Sequence, residues 1–479
     1  MSETMEIIEK IKNIIQNEYI KKCYDKNEIK LIINEMSKKM VKDKKKANDK
    51  IIIKQNIKKI FFEYVYPINE ADNLFHFVID NKIYNKYVYS IKSSCSIIKR
   101  IDEQYKPFGS DWIHDIQKND ILDNIHLKRT EIFNKLRKIV LPEQCTPEWF
   151  KMREGRITAS NLGTVLGLNK YEYPCDYIKK KITKEKFIDN FNCYNGKKFE
   201  EIASMIYQYR MNVYVENFGL IVHPNHEFIA ASPDGICSPY KLDKIHLSKY
   251  VGRLIEIKCP VTRKICTTGP IMGGIVPIYY YCQIMQQLEC CDLDECDFWQ
   301  CSMYEYETRQ QWLDDTNPNE PFRSKETDFE KGVLIQLIPK LKACDDYLET
   351  IYGSAGFIYP PSIEMNPYEC DQWILLTLEN IKETHPLYIF DKIIYWRLNH
   401  SHNVTVIRDK EWFYNNLDKA KKIHDYVTFL ENNLDKNKLV IEFMEKRKNM
   451  ERFKKINQKA NDDILNYIEN IITAELKIT

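Results

Sequence analysis

No run of apolar residues approaches the about 18 that a membrane-spanning helix needs, and Met1 to Lys12 mixes Glu and Lys with apolar residues where an export signal would show a basic end and an apolar stretch. Neither a membrane span nor export is therefore expected, and the chain is read as intracellular. Cys-x-x-Cys pairs are missing too. The 15 cysteines are scattered and odd in number, which excludes a secreted disulfide framework and leaves reduced thiols as the expectation. Gly, Ala and Arg are thin beside Lys, Ile, Asn and Tyr, a bias that AT-rich codons produce and that carries no mechanism. Net charge is nearly absent as well, at +2, and by itself names no polyanionic partner.

What is present is an ordered chain in several parts. Hydrophobic residues at 44% and aromatics at 12% offer enough apolar surface to offset chain entropy. A length of 479 residues exceeds what one hydrophobic core usually serves, so two or three units are expected. Charge divides unevenly: residues 1–140 hold 28 Lys and Arg against 20 Asp and Glu, and residues 141–479 hold 43 against 49. We divide the chain into a basic, mainly helical region at 1–140, a core at 141–309 and an α+β extension at 310–479. The lysines between 38 and 50 are read as a solvated helix face or linker, or as a grip on phosphates.

Within the core, periodicity predicts helices at 148–154, 159–167, 174–185 and 196–211, strands at 213–222, 227–232 and 251–258, a helix at 278–290 and a strand at 296–306. That order makes an α/β sandwich with a mixed sheet. Leu254-Ile255-Glu256-Ile257-Lys258-Cys259-Pro260 is an apolar strand interrupted by two charges. Alternation sends Glu256 and Lys258 to one face and Ile255 and Ile257 to the other. Taken alone, the pair reads equally as a structural ion pair. Upstream, Ala231-Ser232-Pro233-Asp234-Gly235 carries a short strand into a turn, and the chain from Asp234 to Glu256 can close a long hairpin that brings the two carboxylates together. Two hard oxygen ligands suit Mg2+ or Mn2+, and a lysine beside them can position or help deprotonate the attacking water. A third acid comes from the helix Gly196–Tyr207, where Glu200 borders the buried stripe and Glu201 lies nearly opposite it.

These segments, together with Trp149–Arg153, Arg156-Ile157-Thr158-Ala159-Ser160 and Tyr280-Tyr281-Cys282-Gln283 with Gln286 and Gln287, resemble the phage-type recombination exonucleases and YqaJ-like viral recombinases of the PD-(D/E)XK nuclease superfamily. The resemblance covers roughly residues 142–306 and implies a restriction-endonuclease-like core, a mixed sheet flanked by helices. It implies Asp234, Glu256 and the main-chain carbonyl of Ile257 as metal ligands, Lys258 as the catalytic lysine, Glu200 as a supporting acid and Gln283 as the residue orienting the lysine or scissile phosphate. Arg153 and Ser160, at a helix start that Thr158 is placed to cap, are implied to hold a DNA 5′-phosphate. The activity implied is 5′-to-3′ exonucleolytic degradation of linear double-stranded DNA in recombination or repair. The implied partner is a single-strand annealing or single-strand-binding protein. A homo-oligomer is compatible with this, but the insert at 236–250 and the large flanks keep the family's ring-shaped trimer from being carried over.

Two other readings stand beside this one. A structure-selective or nicking endonuclease on the same core would digest covalently closed circles. A catalytically inactive DNA-binding or virion structural protein would bind no divalent metal. Cys282, Cys290, Cys291, Cys296 and Cys301 match no cluster-ligand spacing, and Tyr279–Tyr281 are assigned to core packing or to stacking on bases. If the source is viral, the expected location is the replication compartment of the host cell or the virion.

Overall fold

The computed structural model describes residues 124–142, 144, 146–185, 189–342, 347–450 and 458–476, so the expectations for the basic N-terminal region up to residue 123 lie outside the described residues. Helix α1 (Asn124–Lys138) leads to α2 (Pro147–Arg153), β1 (Ile157–Thr158), α3 (Ala159–Val165), α4 (Pro174–Thr183) and α5 (Phe191–Met211). Strands β2 (Val215–Glu216), β3 (Ile221–His223), β4 (His226–Ala231), β5 (Gly235–Cys237) and β6 (Leu254–Lys258) follow, then α6 (Ile278–Cys291) and β7 (Glu295–Glu305). Beyond them come α7 (Arg309–Asp314), β8 (Lys331–Pro339), α8 (Tyr347–Ser354), β9 (Gly356–Ile358), α9 (Pro367–Thr384) and β10 (Tyr388–Ile407). The last elements are α10 (Lys410–Asn432), α11 (Leu434–Met450) and α12 (Gln458–Leu476).

Local sequence explains several of these starts. Thr146 accepts a hydrogen bond from the Trp149 N–H, and Pro147 at the first helical position loses no bond by lacking an N–H. Asn190 caps α5 in the same way, and Asn366 with Glu369 forms a reciprocal capping box on α9.

A seven-stranded mixed sheet runs in the order β2-β5-β6-β7-β10-β8-β9, and a small sheet, β1-β4-β3, stands beside it. β6 and β7 pair in parallel, and α6 makes the crossover between them, as a parallel pair requires. The predicted strand 213–222 is two strands, because β2 pairs with β5 in the large sheet while β3 pairs with β4 in the small one. Each face of the large sheet has its own core. Leu254 and Phe298 pack with Met285 and Leu288 of α6 and Phe413 of α10. Ile255, Ile257 and Trp299 pack with Phe199, Ile202 and Ile206 of α5. Each fully buried aliphatic side chain here contributes about 1.5–3 kcal/mol.

The boundary placed at 309/310 does not separate two cores. The second half of β10, Trp396–Ile407, pairs with all of β7, so the sheet of the expected core continues through β10, β8 and β9. The C-terminal helices also return: Ile464 and Ile468 of α12 share a core with Ile178 of α4, and Asn461 accepts from the Cys175 N–H at 3.2 Å. Among the described residues every cysteine is free. No helix among them is long and apolar enough to cross a membrane.

Candidate active site

The antiparallel register of β5 and β6 sets Gly235 against Ile255, and one step further along it Asp234 comes opposite Glu256. The turn holding Asp234 is tied down on both sides. Ser232 Oγ donates to the Gly219 carbonyl at 3.2 Å, and the Gln144 amide reaches the Pro233 carbonyl at 3.5 Å. Gly235 is required by a close approach, since a Cβ there would come within 2.3 Å of Val215 Cγ1. Just before β5 begins, the side chain of Asp234 takes over the ladder: its Oδ2 accepts from the Ile257 N–H at 2.7 Å. On a strand the N–H and C=O of one residue point to the same side, so the Ile257 carbonyl faces this carboxylate too.

Glu256 is completely buried, and Lys258 keeps 22% of its side chain exposed. The two form an ion pair through Glu256 Oε1, while Glu256 Oε2 accepts from Gln287 Nε2 at 2.7 Å. Glu200, from α5, lines the same cleft and is exposed to solvent. The cleft has a volume of about 390 Å3, and Lys258, Arg263, Tyr171, Tyr279 and Tyr280 also line it.

The electrostatics are those of too many acids for one base. Burial pushes the Asp234 carboxyl well above its ordinary value, and the carboxylates of Glu256 and Glu200 push it further. Burial also raises Glu200; Lys258 pulls it back, and Glu256 and Glu201 oppose that pull. At Lys258 burial works against the charge, but Glu256 and Asp234 more than offset it and hold the ammonium above the ordinary lysine value.

The glutamine that grips a cluster acid is Gln287. Gln283, expected to orient the lysine or the scissile phosphate, lies one turn earlier on α6 and is half-buried. Gln286 instead donates to the carbonyls of Ile157 and Ala230, both at 2.8 Å, and ties α6 to the small sheet. Arg263 went unread in the sequence. Gln300, the register partner of Lys258 on β7, accepts from Arg263 Nη2 at 2.8 Å and holds that guanidinium in the cleft wall. Its signal lay in the strand pairing, which no local pattern exposes.

Arg153 and Ser160 meet around one hydroxyl. Thr158 Oγ1 lies 3.4 Å from Arg153 Nη2 and 3.4 Å from Ser160 Oγ, and it accepts from Asn161 Nδ2 at 2.9 Å. Thr158 precedes α3 as expected but makes no side-chain cap bond, because its hydroxyl is engaged by these neighbours. Ser160 is exposed, and Arg153 lies over the Trp149 ring at 4.2 Å. Lys181 was also missed; burial lowers its pKa, and the nearby Arg153 lowers it further. Arg156 is structural, bonded to the carbonyls of Met152 and Glu227 at 2.6 and 3.0 Å.

Fold and site together define an α/β protein with a mixed sheet flanked by helices, whose acids and lysine stand at the positions of the PD-(D/E)XK pattern. Residues 148–294 match the family model of the YqaJ-like viral recombinase domain. The chain is also similar to an uncharacterized protein of Acanthamoeba polyphaga mimivirus, with 38% identity over 339 residues. That match takes in 70% of this chain and 61% of the relative, so the chain spans about three fifths of the relative's length. Two solved structures of an alkaline exonuclease, LHK-Exo from Laribacter hongkongensis, one of them in complex with dAMP, show a partial likeness with a TM-score of 0.33. Their identities are 18% and 17%, and they cover 61% and 62% of this chain and 99% and 100% of theirs.

Proposed function

We propose that this protein is a metal-dependent deoxyribonuclease that degrades linear double-stranded DNA from its 5′ ends in recombination or repair. The observation that supports this most directly is the imbalance in the cleft, where Glu200, Asp234 and Glu256 share the single ammonium of Lys258. A divalent cation supplies the missing charge. The donors are hard oxygens, the carboxylates of Asp234 and Glu256 and the carbonyl of Ile257, and they fit Mg2+ or Mn2+. No three His, Cys, Asp or Glu side chains form a metal cage among the described residues. Mg2+ needs none, because it takes one or two carboxylates and completes its shell with waters and phosphate oxygens. When bound, such an ion lowers the pKa of water and stabilises the negative charge that builds on the phosphate.

The chain's own residues do the rest. Gln287 fixes Glu256 from one side and Lys258 holds it from the other, so the carboxylate stays oriented. The Lys258 ammonium, open to the cleft, hydrogen-bonds the attacking water or a phosphate oxygen and orients it for in-line attack. Arg153, Ser160 and Lys181 take the terminal 5′-phosphate, whose charge relieves the crowding of the two cations. The 3′ single strand left behind would pass to a single-strand-binding or annealing protein.

The test is degradation of linear 5′-phosphorylated duplex DNA by the purified protein in Mg2+ or Mn2+, beside Lys258→Ala and Asp234→Ala. Release of nucleotides from the 5′ end, falling by about 10²–10⁴-fold in both variants, is the expected result. Wild type and variants equally inert on linear, nicked and circular DNA would remove the active-site assignment. Cleavage of covalently closed circles would make the enzyme an endonuclease.

A further inference from the structure

Three tyrosines climb from the catalytic lysine to the mouth of the cleft. Lys258 Nζ lies 5.0 Å from the centre of the Tyr280 ring, and the Arg263 guanidinium lies 5.9 Å from it. Tyr280 meets Tyr279 at 4.4 Å, and Tyr279 meets Tyr171 edge-on at 5.9 Å. Tyr171 sits at residue 171 in the turn between α3 and α4 and is 65% exposed. Lys170 Nζ stands 5.0 Å from the Tyr171 ring. Cations therefore mark both ends of the ladder.

Packing accounts for only part of this row. Tyr281 is the member turned into the core, against Trp412, and Tyr280 packs on Phe298 at its inner side. Tyr279 and Tyr280 are half-buried and line the cleft, and Tyr171 is open. The ladder is also set in place from behind. A Cβ at Gly163 would come within 2.8 Å of both Cα and Cβ of Tyr279, so α3 meets the start of α6 directly at the second rung, where the sequence carries no side chain.

We propose that Tyr171 and Tyr279 form a stacking platform for the bases of the strand that enters the cleft. Aromatic faces interleaved with cations are what a single strand needs, since every base has a π face and every link a negative charge. The rings of Tyr171 and Tyr279 line the same cleft as Lys258, so a strand whose phosphate reaches the lysine passes them. The inference rests on the deoxyribonuclease reading and places the grip on the terminal bases on these two rings.

The test reads stacking without turnover. A 5′-phosphorylated single-stranded oligodeoxynucleotide with 2-aminopurine at its 5′-terminal position is titrated in EDTA with the full-length wild type, Tyr171→Phe and Tyr171→Leu. Quenching of the fluorophore is expected with wild type and Tyr171→Phe, and its loss with Tyr171→Leu, whose Kd for the oligonucleotide weakens about tenfold. In a second arm, Mg2+-dependent cleavage is measured on duplexes with normal or abasic nucleotides at the 5′ end. The KM of the wild type rises about tenfold on the abasic end, while Tyr171→Leu gives one KM for both. Equal quenching and equal KM in wild type and Tyr171→Leu, with DNA still cleaved, would overturn the platform and leave the nuclease standing. A wild type that cleaves no form of DNA would overturn both.

Discussion

Arg210 and Glu330 are as deeply buried as Glu256 and lie around the same sheet, yet they are arranged very differently. Arg210 donates twice to Glu330, at 2.9 and 2.6 Å, and its remaining arm donates to Ser401 at 2.9 Å. Burial pushes the Glu330 carboxyl up, but the guanidinium outweighs it and holds the group below its ordinary value. Charges and hydrogen bonds close on themselves there. Around Lys258 they do not, because three acids face one base and two of those acids are driven above their ordinary values. Burial of charge is common to both regions; charge left unbalanced belongs to one. That imbalance separates a site prepared for a cation from an ion pair that holds helix to sheet.

The comparison breaks if the two regions respond alike to loss of a charge. Arg210→Met should cost about 3–5 kcal/mol of stability in urea unfolding, because Glu330 is left buried and unpaired, and Arg210→Met with Glu330→Leu should recover much of it. Lys331 offers a third case, a buried lysine donating to the Trp312 carbonyl and, at 2.8 Å, to Thr316 Oγ1. Burial lowers its pKa to about 7 from the ordinary 10.5. Between those values the unfolded chain carries a proton that the native chain lacks, so stability should rise with pH by at most about 1.4 kcal/mol per unit. Lys331→Met should flatten that slope in melts taken from pH 7 to 10; an unchanged slope would show that Lys331 does not titrate there.

At the cleft the signs reverse. A divalent cation at about 100 times its Kd should stabilise the wild type by about 2.7 kcal/mol, read as a higher Tm than in EDTA, and Asp234→Asn should lose the gain. Without metal, Asp234→Asn should stabilise the fold by about 1 kcal/mol, and Glu200→Gln, whose carboxylate is exposed and screened by solvent, by less. Glu330→Gln should do the opposite. If all three carboxylate variants lost stability together, the cleft would be an ordinary ion-pair network and the contrast would vanish.

Much of this site could be read from local pattern. Two-residue alternation set Glu256 and Lys258 on one face, a helical stripe turned Glu200 toward the cleft, and a turn sequence put Asp234 at a tip, because each depends on neighbours within a few residues. What was illegible depended on distance along the chain. Gln283 and Gln287 share a helix face, and only the placement of α6 over β6 decides that Gln287 reaches Glu256. Arg263 depends on Gln300, 37 residues away. The continuation of the sheet beyond residue 309 depends on β10 returning to β7 across some 90 residues, which no local propensity encodes.

β10 has a consequence for how small this protein can be made. It is 20 residues long and pairs with β7 on one side and β8 on the other. A chain cut after residue 309 would keep every acid of the cleft but would leave β7, the parallel neighbour of β6, with a bare edge of unpaired N–H and C=O groups along Glu295–Glu305. Such an edge recruits other chains. The shortest soluble form is therefore set by the need to cover that edge, and it extends well past the last residue that touches the chemistry.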